Sequence, residues 1–262
     1  MVNVTIFANG RDESQRVKQK LKAKLEAAGI SFDDENPDIV FTIGGDGTVL
    51  EAVHTYLHLH ATVKFIGVHT GHLGYYTDWM PEELDELVAF VQGNQQHVIY
   101  YPLLSIVLCT EDVGCREMFA LNELTLVNAL RTQHLNITID DLFFESFRGT
   151  GICCATPTGS TAYNKSLGGA LLYPSIEAFQ MTEIASINNN VYRTIGSPLI
   201  IPKEQTLTIQ SENFENITVT HDHLSGRFDD ITKIEVSVSD RKIMFVKRKE
   251  ALFWERIKQH FL

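Results

Sequence analysis

The chain has 262 residues, 44% of them hydrophobic, with 33 acidic against 22 basic side chains and a formal charge of −11. Such a balance, without a block of Lys and Arg, excludes a nucleic-acid-binding protein that works through a basic face. No apolar run reaches the roughly 18 residues a membrane span requires and no basic–apolar leader opens the chain, so a soluble cytoplasmic protein with no membrane partner is expected.

The first hundred residues alternate strand and helix. "VNVTIFA" (2–8) is β-branched and apolar, Val17, Leu21 and Leu25 then mark one helical face, and Gly29 stops it. "DIVFTI" (38–43) is a buried strand pattern, followed by a helix pattern over about 48–58; "VKFIGV" (63–68) is a third strand. "PEELDELVAFVQG" (81–93) is a helix with Pro81 first, acids in its first turn and Gly93 at its end. This alternation predicts an α/β domain over 1–98 with a parallel sheet. From about residue 98 the pattern changes to short strands with period-2 alternation, predicting an all-β, sandwich-like domain over 99–249. One helical stretch, roughly 160–190, interrupts it. In the tail "LFWERIKQHF", Phe253, Ile257 and Phe261 fall on one helical face. The basic runs "KQKLKAK" (18–24) and "KRK" (247–249) read as solvated faces. The cysteines Cys109, Cys115, Cys153 and Cys154 show no CxxC pairing, and the adjacent pair reads as buried thiol in a reducing compartment.

Chemistry concentrates at three places. "GGDGT" (44–48) ends a strand and opens a helix, where glycines let a phosphate approach successive backbone N–H groups. It is neither a Walker loop nor a GxGxxG fingerprint, and a tight turn capped by Asp46 is the plain alternative. "ATPTGSTAYNKS" (155–166) packs Thr156, Thr158, Ser160 and Thr161 around Gly159, more hydroxyls than one helix cap uses, and suits a neutral ligand such as a nucleoside. No GxSxG elbow surrounds Ser160. Asn122 and Glu123 open an apolar β run, either as turn chemistry or as two acceptor-rich side chains for paired ribose hydroxyls.

"GGDGT", the "NE" pair and "TPTGSTAYNKSLGGALLYPS" (156–175), with "GVHTGHLGYYTDW" (67–79) and "RTIGSPLIIP" (193–202), together resemble NAD kinases, especially the short enzymes of Gram-positive bacteria. The resemblance implies an α/β domain carrying GGDG, a β-sandwich-like domain carrying the dinucleotide site, and a final helix, 250–262, that returns to the first domain. It implies phosphoryl transfer from ATP, or polyphosphate, to the 2′-hydroxyl of the adenosine ribose of NAD. Asp46 would accept the proton of that hydroxyl. Gly44, Gly45, Gly47 and Thr48 would form the donor-phosphate turn, with Gly47 also beside the NAD. A divalent ion, Mg²⁺, would arrive with the donor, and no protein metal cluster is expected. Asn122 and Glu123 would hold the ribose and adenine edge; Thr161, Ala162 and Tyr163 would line the adenine pocket, with Thr158 supplying a hydroxyl. Asn164, Lys165 and Ser166 continue that motif, with Ser166 and Ala185 near the nicotinamide half and Arg148 near its phosphate or amide. The family also implies a homodimer or homotetramer whose site a neighbouring subunit completes.

The chain departs from the family twice. "RGTG" (148–151) puts Thr150 where many members carry an aspartate, which removes a charge from the dinucleotide site. "HDH" (221–223) replaces the usual "DGQ"; Asp222 keeps the acid and His223 adds a contact. On a strand, His221 and His223 would share a face and Asp222 the other, leaving two ligands for a metal. His54 and His58 lack a carboxylate at metal spacing and read as surface. A lipid or sugar-phosphate kinase would share the glycine turn but has no need of the NE and TPTGSTAY segments. A non-catalytic dinucleotide binder would have no need of Asp46.

Overall fold

The computed structural model describes residues 2–71, 74–93, 97–212, 214–228, 230–248 and 253–262. Residues 72 and 73 of the glycine-spaced loop, Lys249 of the basic run and the expected helix start at 250–252 lie outside the described residues. The chain forms two units, Met1–Tyr101 with Arg241–Leu262, and Pro102–Asp240.

In the first unit β1 (Asn3–Ala8) leads to α1 (Asp12–Ala27), β2 (Ser31–Phe32), β3 (Ile39–Ile43), α2 (Asp46–Thr55), β4 (Lys64–Val68), β5 (Thr77–Trp79) and α3 (Leu84–Gln92). The strands pair in parallel in the order β2–β1–β3–β4, and β4 also pairs in parallel with β5. All five residues of β3 are buried, as a parallel strand covered on both faces requires. Val17, Leu21 and Leu25 of α1 join Ile6, Phe41, Ile66, Trp79 and Leu87 in one core. α2 is shorter than the expected 48–58: it ends at Thr55, and His58 falls in a separate 3-10 turn, Leu57–Leu59.

The second unit is a pair of antiparallel sheets. β6 (His97–Thr110) and β7 (Gly114–Ala120) form a hairpin; β8 (Glu123–Val127), β9 (Gln133–Ile139), β10 (Leu142–Gly149) and β11 (Gly151–Ala155) follow. A 3-10 turn, Gly159–Thr161, and the one-turn α4 (Tyr163–Ser166) precede β12 (Ala178–Ile184), β13 (Leu199–Pro202), β14 (Leu207–Gln210), β15 (Ile217–His221), β16 (Leu224–Phe228) and β17 (Ile231–Lys247). One sheet runs β13–β12–β11–β8–β15–β16, while β10, β9, β14 and the first part of β17 are neighbours in the other. Leu124, Leu126, Ile152 and Phe179 from the first meet Ile106, Leu135, Ile137, Ile209 and Ile234 from the second in a shared core.

Three expectations are corrected. The stretch 160–190 is not a helix: Gly168, at φ +85, turns the chain after α4, and Phe179 and Met181 enter the sandwich core on β12. The second unit closes at 240 rather than 249, because Met244 and Phe245 of β17 pair in parallel with Lys64 and Phe65 of β4. The terminal helix α5 (Phe253–Phe261) belongs to the first unit, and its buried side chain is Arg256. Cys109 and Cys115 are joined by a disulfide, a pairing that hairpin register brings about and a CxxC search does not address, while Cys153 and Cys154 are buried free thiols.

Candidate active site

In the first unit, β3 delivers the chain to Gly44, whose φ of +154 favours glycine. A Cβ at Gly44 would lie 2.2 Å from Thr48 Oγ1 and 2.6 Å from Asn9 Nδ2, so the turn closes on its own polar groups. Asn9 Nδ2 donates to Thr48 Oγ1 at 3.1 Å, which gives the buried Thr48 hydroxyl a structural partner. Gly45 and Gly47 are exposed, and α2 begins at Asp46 between them. The first N–H groups of α2 therefore lack intrahelical acceptors on a surface without side chains. The Asp46 carboxylate is held from the other side: Tyr75 N–H donates to Oδ2 at 2.8 Å and Tyr76 N–H to Oδ1 at 3.1 Å. Each oxygen retains a lone pair for a third donor.

In the second unit, Asn122 and Glu123 stand at the start of β8, with their backbone fixed by Asp222. The Asp222 carboxylate accepts from the N–H groups of Leu121 (2.8 Å), Asn122 (2.7 Å) and Glu123 (3.3 Å). Residues 222 and 223 are the tight turn between β15 and β16, with Asp222 at φ +52, so His221–Asp222–His223 is not a continuous strand and the alternating-face argument does not apply. His223 is exposed. The TPTGS turn docks on the same corner: Thr156 Oγ1 and Thr158 Oγ1 both donate to Leu121 O, at 2.6 and 2.9 Å. A Cβ on Gly159 would fall 2.0 Å from Asn122 O, so only glycine permits this approach. Burial pushes the Glu123 carboxyl up to about 8, with the Asp222 charge adding to the shift, and its Oε2 is buried with no partner among the described residues. At neutral pH Glu123 is therefore protonated, a hydrogen-bond donor at the mouth of a strand.

The hydroxyl cluster is more committed to the fold than its composition implies. Ser160 Oγ donates to Pro157 O at 2.6 Å and accepts from Leu172 N–H at 2.9 Å, and Thr161 Oγ1 donates to Thr158 O at 3.0 Å. Asn164 is fully buried: its Oδ1 accepts from Thr182 Oγ1 at 2.7 Å, and its Nδ2 is buried with no partner among the described residues. Of its neighbours, Tyr163 and Ser166 are exposed while Ala162 and Lys165 are half-buried, which leaves Tyr163 outside the core.

Arg148, Thr150 and Ala185 come together. Arg148 O accepts from Ile187 N–H at 2.7 Å, Thr150 N–H donates to Ile184 O at 2.9 Å, and Ala185 sits between at φ +46. The Arg148 guanidinium lies 3.8 Å above the Tyr192 ring.

Sequence reasoning missed the amides of Tyr75 and Tyr76, the clamp formed by Asp222, and the burial of Lys247 and Arg256. The basic run at 247 is corrected accordingly: Lys247 is 4% exposed, with its ammonium 3.1 Å from Asp78. Isolated glycines at 71 and 74, near an aromatic pair, were the available hint that a backbone segment there approaches something closely.

An acidic glycine turn heading a helix in a parallel α/β unit, and a buried acceptor corner in a β-sandwich unit, are the parts of a two-unit phosphotransferase. Residues 5–94 match the family described as ATP-NAD kinase N-terminal domain, and residues 121–248 match ATP-NAD kinase C-terminal domain. The NAD kinases of Staphylococcus aureus strains JH9 and Newman are each 43% identical to this chain over 260 residues, covering 98% of it and 97% of theirs. The chain belongs to the NAD kinase family. Its fold is that of yeast NADH kinase complexed with NADH (TM-score 0.86, 20% identity, 99% of this chain and 87% of that one). It is likewise that of an Archaeoglobus fulgidus NAD kinase in complex with ATP (TM-score 0.74, 21% identity, 99% and 97%).

Proposed function

We propose that this chain phosphorylates NAD on the 2′-hydroxyl of its adenosine ribose, with ATP as donor and polyphosphate as an alternative donor, and so serves NADP biosynthesis. The observation that carries the reading is Asp46, the only side chain of the GGDG tip, presented at the head of α2 with both carboxylate oxygens held by backbone N–H groups. Held this way, the carboxylate can accept the ribose proton as the hydroxyl attacks. In a loose transition state the proton leaves late, so orientation matters more than basicity. The bare N–H groups at Gly45 and Gly47 suit the donor phosphates.

Among the described residues no cluster of His, Cys, Asp or Glu could hold a metal ion. Mg²⁺ is proposed to enter with the triphosphate, where it would neutralise phosphate charge. The corner formed by Asn122 and the protonated Glu123 suits ribose hydroxyls and an adenine ring nitrogen, with Thr161, Ala162 and the exposed Tyr163 proposed to line the adenine pocket. Thr158, Lys165, Ser166 and His223 are proposed as further contacts, and Arg148, Thr150 and Ala185 as contacts to the nicotinamide half. A cytoplasmic homodimer or homotetramer that shares the site between subunits completes the proposal. No described helix is long and apolar enough to cross a membrane.

The test is NADP⁺ formation by the purified protein from NAD⁺, ATP and Mg²⁺, beside Asp46→Asn. Product from the wild type and a rate lower by roughly two to four orders of magnitude in the variant are expected. No product with either donor overturns the reading.

A further inference from the structure

The segment that holds Asp46 is itself held by two buried cations from the end of the chain. Arg256, on α5, is 5% exposed. One of its guanidinium nitrogens, Nη1, donates to Tyr75 O; the other, Nη2, donates to Thr77 O at 2.9 Å and pairs with the Asp78 carboxylate. Lys247, at the end of β17, donates to Tyr76 O at 3.2 Å and to Asp78 Oδ1 at 3.1 Å. Three successive carbonyls, of residues 75, 76 and 77, thus face cationic donors. A second contact ties α5 to the same place, because His260 stacks on the Tyr75 ring at 5.0 Å.

The connectivity of the peptide gives this arrangement its consequence. Tyr75 C=O and Tyr76 N–H are two ends of one planar peptide group. Arg256 donates to the first, and the second donates to Asp46 Oδ1. A donor on the carbonyl fixes the plane and polarises the N–H at its far end. An ion pair that served only to neutralise Asp78 would not require donors on the carbonyls of residues 75 and 77 as well. Gly74 shows how closely the fit is drawn: a Cβ there would lie 2.1 Å from Asp46 Oδ1.

We propose that Arg256 is a positioning residue for phosphoryl transfer, setting the Asp46 carboxylate through the Tyr75–Tyr76 peptide, with Lys247 bracing the next carbonyl. The proposal rests on the reading of Asp46 as the proton acceptor. It makes the terminal helix part of the catalytic apparatus without contact to substrate.

The experiment compares kcat and the KM values for NAD⁺ and ATP in the full chain carrying Arg256→Ala or Arg256→Lys. Melting curves establish the folded fraction at the assay temperature. Misorienting a reacting group by about an ångström costs on the order of 100-fold. Arg256→Ala is accordingly expected to lower kcat by about 10- to 100-fold with both KM values within about threefold, and added guanidinium ion to restore part of the loss. Arg256→Lys keeps a charge beside Asp78 but lacks the fork that reaches two carbonyls, so it folds and falls between Arg256→Ala and wild type. Wild-type kcat in either folded variant overturns the proposal. So does a loss of activity that only follows the unfolded fraction, or one that appears equally in KM. Asp46→Asn, run alongside, separates the two failures. Full activity there removes the reading of Asp46 itself, whereas loss there with wild-type kcat in the Arg256 variants removes only the role of Arg256.

Discussion

Asp222→Asn tests whether the Leu121–Glu123 backbone is held by a charge. In the wild type one carboxylate oxygen serves Asn122 and Glu123 N–H, at 2.7 and 3.3 Å, and the other serves Leu121 N–H at 2.8 Å. With Asn, an amide oxygen can keep the first two partners, but its NH₂ then faces the Leu121 N–H, donor against donor. Losing one charge-assisted bond costs about 1.5–3 kcal/mol, and weakening the other two brings the total to roughly 2–4 kcal/mol. A compensating gain depends on pH. Below about 8 Glu123 is protonated and has no charge to repel Asp222; above it the pair is like-charged, and Asn relieves that repulsion. The deficit should therefore be full near pH 6 and smaller near pH 9. Thermal unfolding should show a fall of roughly 4–16 °C at pH 6, at about 2–4 °C per kcal/mol for a chain of this size. The KM for NAD⁺ should rise with little change in kcat, since the corner moves and Asp46 does not. An unchanged melting temperature at pH 6, or a deficit that grows with pH, would refute the clamp.

Glu123→Gln isolates the burial of the acid itself. A folded-state pKa raised to about 8 from 4.5 means that the favourable protonated state is complete below pH 4.5 and is lost as pH rises to 8, so the variant should gain on the wild type across that window and hold a constant advantage above it in denaturant titrations. Gly159→Ala places a methyl 2.0 Å from a backbone carbonyl that cannot rotate away, with an expected loss of about 1–3 kcal/mol in urea unfolding and a raised KM for NAD⁺. Thr150→Asp changes only the side chain, because both backbone groups at 150 are already hydrogen-bonded; calorimetry should show tighter NAD⁺ binding if the charge missing from this chain belongs in the dinucleotide site.

The legibility of the chain divides by the range of the contacts involved. The strand–turn–helix at 39–55 could be read because every part is local: an apolar run, glycines where the turn needs them, an acid at a helix start. The change from parallel to antiparallel strands was legible for the same reason, as a change in period. Residues 160–190 were misread because apolar spacing in "LGGALLYPSIEAFQMTEI" suits a helix as well as a buried strand, and the pairing partners that decide, β11 and β13, lie elsewhere in the chain. The hydroxyls of "TPTGST" were read as ligand groups, yet Thr156 and Thr158 also anchor their turn on Leu121 O, a contact no local pattern encodes. Lys247 and Arg256 could not be recognised at all. A lysine closing a strand and an arginine on an amphipathic helix are ordinary surface residues until a buried aspartate and three carbonyls from residues 75–78 are placed beside them.

One device serves opposite ends in the two units. At Asp46 consecutive backbone N–H groups grip a carboxylate, and the carboxylate is the group proposed to accept the proton. At Asp222 a carboxylate grips consecutive N–H groups, and the gripped backbone carries the residues proposed to hold the ligand, Asn122 and Glu123. The chemistry explains the choice. A proton acceptor must remain charged and well oriented, and fixed amide dipoles supply both without a counter-ion that would compete for the proton. A ligand corner instead needs a donor as well as acceptors, and burying Glu123 beside a second carboxylate keeps it protonated. The same substitution of Asp by Asn should therefore read out in kcat at position 46 and in KM at position 222. A chain in which both fell on the same constant would not be using its two carboxylates in these two ways.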